Sequence, residues 1–205
     1  MARGRAPNYE ATREEILAQA ARLFANLGYA ATSMNEVAEA CGVTKPTLYH
    51  YVRDKHDLLM QICQTHVDEL VALVQEVQGR GLAPREHLQA LVCRFMHVYG
   101  QAQHQHRVLT EDLRFLQEAD RQRLQALERQ VVQAFADAVL ALRPELRGHK
   151  LDKPVTMLLF GMMNWTFTWL RPDGAFSYES LAPLVAELFL GGLMALQPTT
   201  PHTTP

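Results

Sequence analysis

Apolar residues fall on helical rather than alternating spacing along most of the chain. Ile16, Leu17, Ala20, Leu23, Phe24 and Leu27 form one stripe at intervals of three and four, the signature of an amphipathic helix. Thr12-Arg13-Glu14-Glu15 ahead of it reads as a capping box that starts the helix, after a flexible arm over the first ten residues. Gly28 supplies the left-handed stop. A second capping box at Ser33-Met34-Asn35-Glu36 opens a short helix whose apolar face is Val37, Ala38 and Cys41, with Gly42 closing it. Thr44 caps a third helix with Pro46 in its first turn, where a missing N–H costs little. Asp54 caps a long helix carrying Leu58, Leu59, Ile62, Leu70, Leu73 and Val77.

The run Gly79-Arg80-Gly81-Leu82-Ala83-Pro84 breaks that helix, and further helices are expected near 85–101, 104–116, 118–142, 152–170 and 178–196. No stretch alternates strictly, so the expected fold class is all-α. The expected organisation is a three-helix first domain over 1–55, a helical second domain over 56–196, and a Pro/Thr-rich disordered tail over 197–205. No apolar run approaches the roughly 20 residues that span a bilayer, and the polar N-terminus with Arg3 and Arg5 lacks the apolar centre of a signal peptide. No membrane partner is therefore expected. Cys41, Cys63 and Cys93 lie in apolar helical patterns without metal-ligand spacing, which points to packing in a reducing cytoplasm.

Charge alone does not suggest nucleic acid. The net charge is −2, and residues 1–60 hold seven basic and seven acidic side chains. Placement matters more. Val43, Leu48 and Val52 are expected to face inward, which leaves Lys45, Thr47, Tyr49, His50 and Tyr51 on one outer surface with no carboxylate. That mixture suits phosphate oxygens and base edges in a major groove. Lys55 adds a nearby cation, and Ser33 offers a hydroxyl at a helix start.

The stretch Thr32–Lys55, TSMNEVAEACGVTKPTLYHYVRDK, resembles the DNA-binding signature of the TetR family of repressors, and the resemblance covers residues 12–60. It implies a homodimer on double-stranded, roughly palindromic operator DNA, with half-sites about one helical turn apart. By the same resemblance the DNA-binding set is Ser33, Asn35, Thr44, Lys45, Pro46, Thr47, Tyr49, His50, Tyr51 and Lys55, and Arg3 and Arg5 are candidates for an adjacent minor groove. Family members often carry Gly or Ala where this chain has Pro46.

The second domain is less legible. Leu158, Gly161, Met162, Trp165 and Trp169 share one helical face, and Phe160, Met163, Phe167 and Leu170 another, so the segment is expected to be buried on both sides. The resemblance implies that the last helices both dimerise and wall a ligand cavity. The run Asn164 to Gly174 also resembles a subgroup of TetR-type regulators that answer to acyl-CoA thioesters. On that reading Phe95, Met96, Tyr99, Phe115, Gly161, Asn164, Trp165 and Trp169 line a pocket, with Arg94, Arg107, Arg114 or Arg171 available to CoA phosphates. Packing of an ordinary core is the plainer reading of the same aromatics.

Two other functions stay open. A sensor of a lipophilic cation would use a buried carboxylate, for which Glu111 and Asp112 are the candidates. A ligand-independent DNA-bound structural or division-control protein would have a filled second domain. His97, His104 and His106 lack metal-ligand spacing, and a polar helix end or loop is the expectation for the H-x-H pair. With no nucleophile–base pair and no Gly-rich phosphate loop, neither cofactor, metal nor enzymatic activity is expected.

Overall fold

The structure is a computed structural model that describes residues 7–171 and 173–197. Arg3, Arg5 and all but the first residue of the expected tail lie outside them. Nine α-helices run in order among the described residues: α1 (Pro7–Leu27), α2 (Met34–Ala40), α3 (Lys45–Leu48), α4 (Lys55–Gln78), α5 (Pro84–Gln101), α6 (Gln103–Asp112), α7 (Glu118–Leu142), α8 (Asp152–Asn164) and α9 (Tyr178–Ala195). No strand occurs among these residues, as the spacing of apolar positions required.

The local signals explain most boundaries. The capping box at Ser33 and Glu36 forms at the start of α2. Thr44 Oγ1 accepts from Thr47 N at 3.3 Å, and Asp54 Oδ1 accepts from Asp57 N at 2.7 Å, capping α3 and α4. Gly28 and Gly42 adopt φ of 88° and 64°, so their left-handed turns stop α1 and α2.

Three expectations need correction. The helix expected to start at Thr12 begins at Pro7, so the Thr12 box lies inside α1 rather than at its start. The helix near 104–116 tightens into a 3-10 turn over Leu113–Phe115. The helix near 152–170 stops at Asn164 and continues as a 3-10 turn over Trp165–Thr168. Thr166 and Thr168 donate their hydroxyls to the carbonyls of Met163 and Trp165, three residues back, which suits the tighter turn.

The chain divides into two compact units, Met1–Val67 with Ala102–Gln125, and Asp68–Gln101 with Ala126–Pro205. This division falls within α4 rather than at residue 55, and α6 joins the first unit. In that unit α1 packs on α2 and α6, and α2 packs on α3. Ile16, Phe24, Val37, Leu48, Val52 and Leu58 are buried.

The second unit is organised by α5 against α9. Phe95 meets Phe135 edge-on at 4.8 Å, and Phe135 meets Phe160 at 4.9 Å. By length and composition α9 is apolar enough to cross a membrane, a property the sequence reading missed. One face of it, Leu181, Ala182, Val185, Ala186 and Phe189, packs into this core.

Cys63 is fully buried, Cys41 and Cys93 are half-buried, and all three are free thiols. The H-x-H pair lies at the start of α6 as a helix end, but only His104 is partly exposed. His106 is buried in the first unit beside His66, Nδ1 to Nε2 at 3.3 Å, and burial pushes its pKa down to about 3, leaving it neutral. His97 belongs to the second unit, 3.6 Å from Glu179.

A Cβ added at Gly100 would sit 2.8 Å from Tyr178 Cβ, an atom too near the backbone to swing away. Gly100→Ala gains about 1 kcal/mol of helix propensity and loses about 1–3 kcal/mol to overpacking. The net expectation is a lower thermal midpoint, by about 2–4 °C per kcal/mol lost. A raised midpoint in calorimetry would contradict the close α5–α9 packing.

Candidate nucleic-acid interface and ligand groove

The candidate reading surface is built on a helix of only four residues, α3, which continues as a turn through Tyr51. Leu48 and Val52 are buried beneath it, and Val43 is half-buried. Lys45, Pro46, Tyr49 and His50 are exposed, as are Thr44, Ser33 and Asn35. This part of the expected set shares one unit and reaches solvent.

Four residues differ from expectation in what they can offer. Thr47 is half-buried, and its hydroxyl lies 2.8 Å from that of Thr44, so each satisfies the other. The Ser33 hydroxyl accepts from Glu36 N at 3.2 Å and acts as a helix cap. Tyr51 does not face outward with Tyr49. It is half-buried and stacks on Tyr9 of α1 at 4.7 Å between ring centroids. Lys55 is half-buried too, with Nζ donating to Ala30 O at 3.2 Å and lying 4.4 Å from the Tyr29 ring centre. Burial lowers its pKa, against the opposing field of Glu36.

Tyr29 also stacks on Phe115, at 5.0 Å, and meets Phe24 edge-on at 5.2 Å. Phe115 therefore sits in the first unit, on the 3-10 turn after α6, and not with Phe95, Met96 and Tyr99 in the second. A further tie joins the start of α4 to the start of α7. His56 Nε2 accepts from Gln117 N at 3.0 Å and lies 3.9 Å from an Asp120 carboxylate oxygen.

In the second unit, Phe95, Met96 and Tyr99 are fully buried core residues. A groove between α4 and α7 has a volume of about 400 Å³ and is lined by Val71, Val74, Gln75 and Gln78 on one side and Arg129, Gln133, Ala134 and Asp137 on the other. None of the expected pocket residues lines it. A neighbouring hollow of about 350 Å³ shares Asp137 and adds Leu140, Pro144 and Arg147. Glu128 is half-buried, and desolvation raises its carboxyl pKa. Burial raises the Tyr99 hydroxyl, and the field of Glu128 adds to it. Asp112 is buried in the first unit, where desolvation raises its pKa, and it lines neither groove.

The expected burial of the tryptophan segment on both faces does not occur within one chain. Phe160 and Met163 are buried, while Leu158, Trp165 and Trp169 remain 69, 65 and 56% exposed. Gly161 has open space around its Cβ position, Asn164 is half-buried, and Arg171 is exposed and paired with Asp173 at 3.1 Å. On α9, Leu184, Leu188 and Met194 are exposed as well.

Sequence reasoning missed Tyr9, Tyr29, Gln61 and Glu128. Tyr9 fell in the presumed arm. The i, i+4 spacing of Tyr9 and Arg13 was the available signal that α1 begins earlier.

A buried helical scaffold that presents a short cationic and aromatic helix defines a helix-turn-helix DNA-binding protein, joined to a separate helical unit. Residues 16–62 match the family model for bacterial regulatory proteins of the tetR family, and residues 81–193 match the model for the tetracyclin repressor-like C-terminal domain. The chain belongs to the TetR family of transcriptional regulators, which are not enzymes. It is similar to a TetR-family regulator of Bordetella parapertussis 12822, with 36% identity, 91% of this chain and 98% of that one covered, and a TM-score of 0.83. The transcriptional activator FasR of Mycolicibacterium smegmatis is 26% identical over 88% of this chain and 82% of its own length. AibR, solved with isovaleryl coenzyme A and operator DNA, is 25% identical, with 86% of this chain and 97% of that one covered and a TM-score of 0.73.

The capping box at α2 yields a pH test. Glu36 is fully exposed, and its carboxyl is held below the usual value by the Ser33 backbone N–H first and the Ser33 side chain second. A depressed carboxyl pKa contributes stability above the unfolded value, lost as pH falls through the folded value. Glu36→Gln should therefore be less stable than the natural chain at neutral pH, with the gap closing as the pH falls through the carboxylate range. Urea unfolding across pH checks this, and a pH-independent gap would contradict it.

Proposed function

We propose that this chain is a repressor that binds a palindromic operator as a homodimer and leaves it when a small molecule, an acyl-CoA thioester, enters the second unit. The observation that carries the DNA half is the exposed Lys45, Tyr49 and His50 on a capped helix whose opposite side is buried. Lys45 offers an exposed cation to a phosphate, and Tyr49 and His50 offer ring and hydrogen-bonding edges to bases. Repression follows from occupancy of promoter DNA by such a dimer. A genome-binding regulator acts in the cytoplasm.

The dimer reading rests on the second face of α8 and α9. Leu158, Trp165, Trp169, Leu184 and Leu188 present an apolar surface that a monomer would leave in water. A two-fold pairing of this surface buries all of it. Trp165→Glu and Leu188→Glu should each shift sedimentation from dimer to monomer while helicity is kept. A natural chain that sediments as a monomer would overturn the pairing.

The effector reading rests on the groove between α4 and α7. Its volume suits a small molecule, and Arg129 can meet a phosphate. These two helices cross the division between the units, and their starts meet again through His56, Gln117 and Asp120. Both helices run from the groove into the first unit, so on this reading a ligand bound there acts on operator binding through them. Ligand then favours a state in which the two reading helices no longer fit both half-sites. AibR lends the acyl-CoA class.

Glu128 supports a second reading. A half-buried carboxyl whose field reaches the Tyr99 hydroxyl is chemistry that could hold a lipophilic cation. The test is a gel shift on duplex selected from a random pool by the natural chain, with isovaleryl-CoA, longer acyl-CoA thioesters and tetraphenylphosphonium added in turn. Release by a thioester but not its free acid is expected. Release by the cation alone would transfer the function to the second reading, and release by none would favour a ligand-independent DNA-bound protein.

A further inference from the structure

The extra helical turn at the front of α1 touches the exit of the reading helix. Tyr9 and Arg13 stand four apart on α1 and so share a face. The Tyr9 ring lies 4.7 Å from the Tyr51 ring at an interplanar angle of 25°, and its hydroxyl is 3.5 Å from His50 O. Arg13 Nε donates to Gln61 Oε1 on α4 at 2.9 Å. Gln61 Nε2 in turn donates to Asp57 Oδ2 at 3.1 Å and lies 3.5 Å from Tyr51 O. Asp57 also accepts from Arg53 N at 2.8 Å and pairs with the Arg53 guanidinium at 3.0 Å.

The segment His50–Arg53 is thus held from two sides, by the Tyr9 ring on α1 and by Gln61 and Asp57 on α4. This matters because α3 has only four helical residues before its closing turn. Only one closing turn, with Tyr49 N bonded to Lys45 O and His50 N to Thr47 O, supports Tyr49 and His50 from within so short a helix. The rest of the support comes from outside, from the buried Leu48 and Val52 and from the anchoring of Tyr51.

We infer that Tyr9 is a positioning residue for operator recognition: it orients Tyr49 and His50 by stacking on Tyr51, without itself touching DNA. The inference rests on the reading of α3 as the DNA-contacting helix. A stacked aromatic pair at a partly exposed site sets the scale, a roughly three- to tenfold change in equilibrium. The loss falls on specific binding. Non-specific binding depends on cations near the phosphates, which Tyr9 does not supply.

The test uses the full chain on duplex selected from a random pool by the natural protein, with poly(dI-dC) as the non-specific competitor. Tyr9→Ala and Tyr9→Leu should each lower operator affinity roughly three- to tenfold and leave poly(dI-dC) affinity unchanged. Tyr9→Phe, which keeps the ring, should restore it. Tyr9→Ala combined with Tyr51→Ala should cost little more than Tyr51→Ala alone, because the two act as one unit. Equal loss on both DNAs, additive losses in the pair, or full affinity in Tyr9→Leu would each overturn the inference. Tyr49→Ala is measured alongside. If it weakens operator binding while Tyr9→Ala does not, only the positioning role falls; if Tyr49→Ala binds as the natural chain does, the α3 reading falls and the inference with it.

Discussion

A reading helix of four residues cannot hold itself together. An isolated helix in water needs on the order of 12–15 residues to be even marginally stable, whereas α3 spans Lys45–Leu48. Everything about the first unit follows from supplying that missing order from outside. Gly42 turns the chain with φ of 64° so that α2 and α3 can cross. Thr44 caps the start, and Leu48 and Val52 are pinned in the core. The far end is tied to α1 and α4 through Tyr51. What remains free is a small exposed surface whose pose is inherited from its surroundings, so a modest movement of those surroundings is a movement of the reading surface.

The second unit is built for a different task. Its aromatic centre of Phe95, Phe135 and Phe160 is closed, and its groove lies to one side between α4 and α7. Both of those helices are shared with the first unit. The starts of the same two helices also meet in the first unit, where His56 accepts from Gln117 N. Lys55 is part of the same arrangement. Its ammonium lies over Tyr29, which also stacks on Phe115 and meets Phe24 edge-on, so the setting of this cation is linked to the turn after α6.

Signals that are local in sequence were legible. The caps at Ser33, Thr44 and Asp54, the stops at Gly28 and Gly42 and the helical stripes gave the order of elements, because each depends on groups within four residues. The exposed Lys45, Tyr49 and His50 were legible for the same reason. Thr12 misled because its capping pattern is real but lies inside a helix that had already begun at Pro7. Tyr51, Lys55 and Phe115 were misplaced because their partners are Tyr9, Tyr29 and Ala30, tens of residues away, and spacing says nothing about such contacts. The tryptophan segment was read as doubly buried because periodicity cannot tell a face covered by its own chain from one left open to another.

The central claim is that α3 reads DNA as one of a symmetric pair. Hydroxyl-radical footprinting of the full chain on its selected duplex tests it most directly. The account predicts two protected patches on one side of the duplex, with centres about 34 Å apart, related by the palindrome of the sequence. A single unpaired patch, or uniform protection without sequence preference, would contradict it.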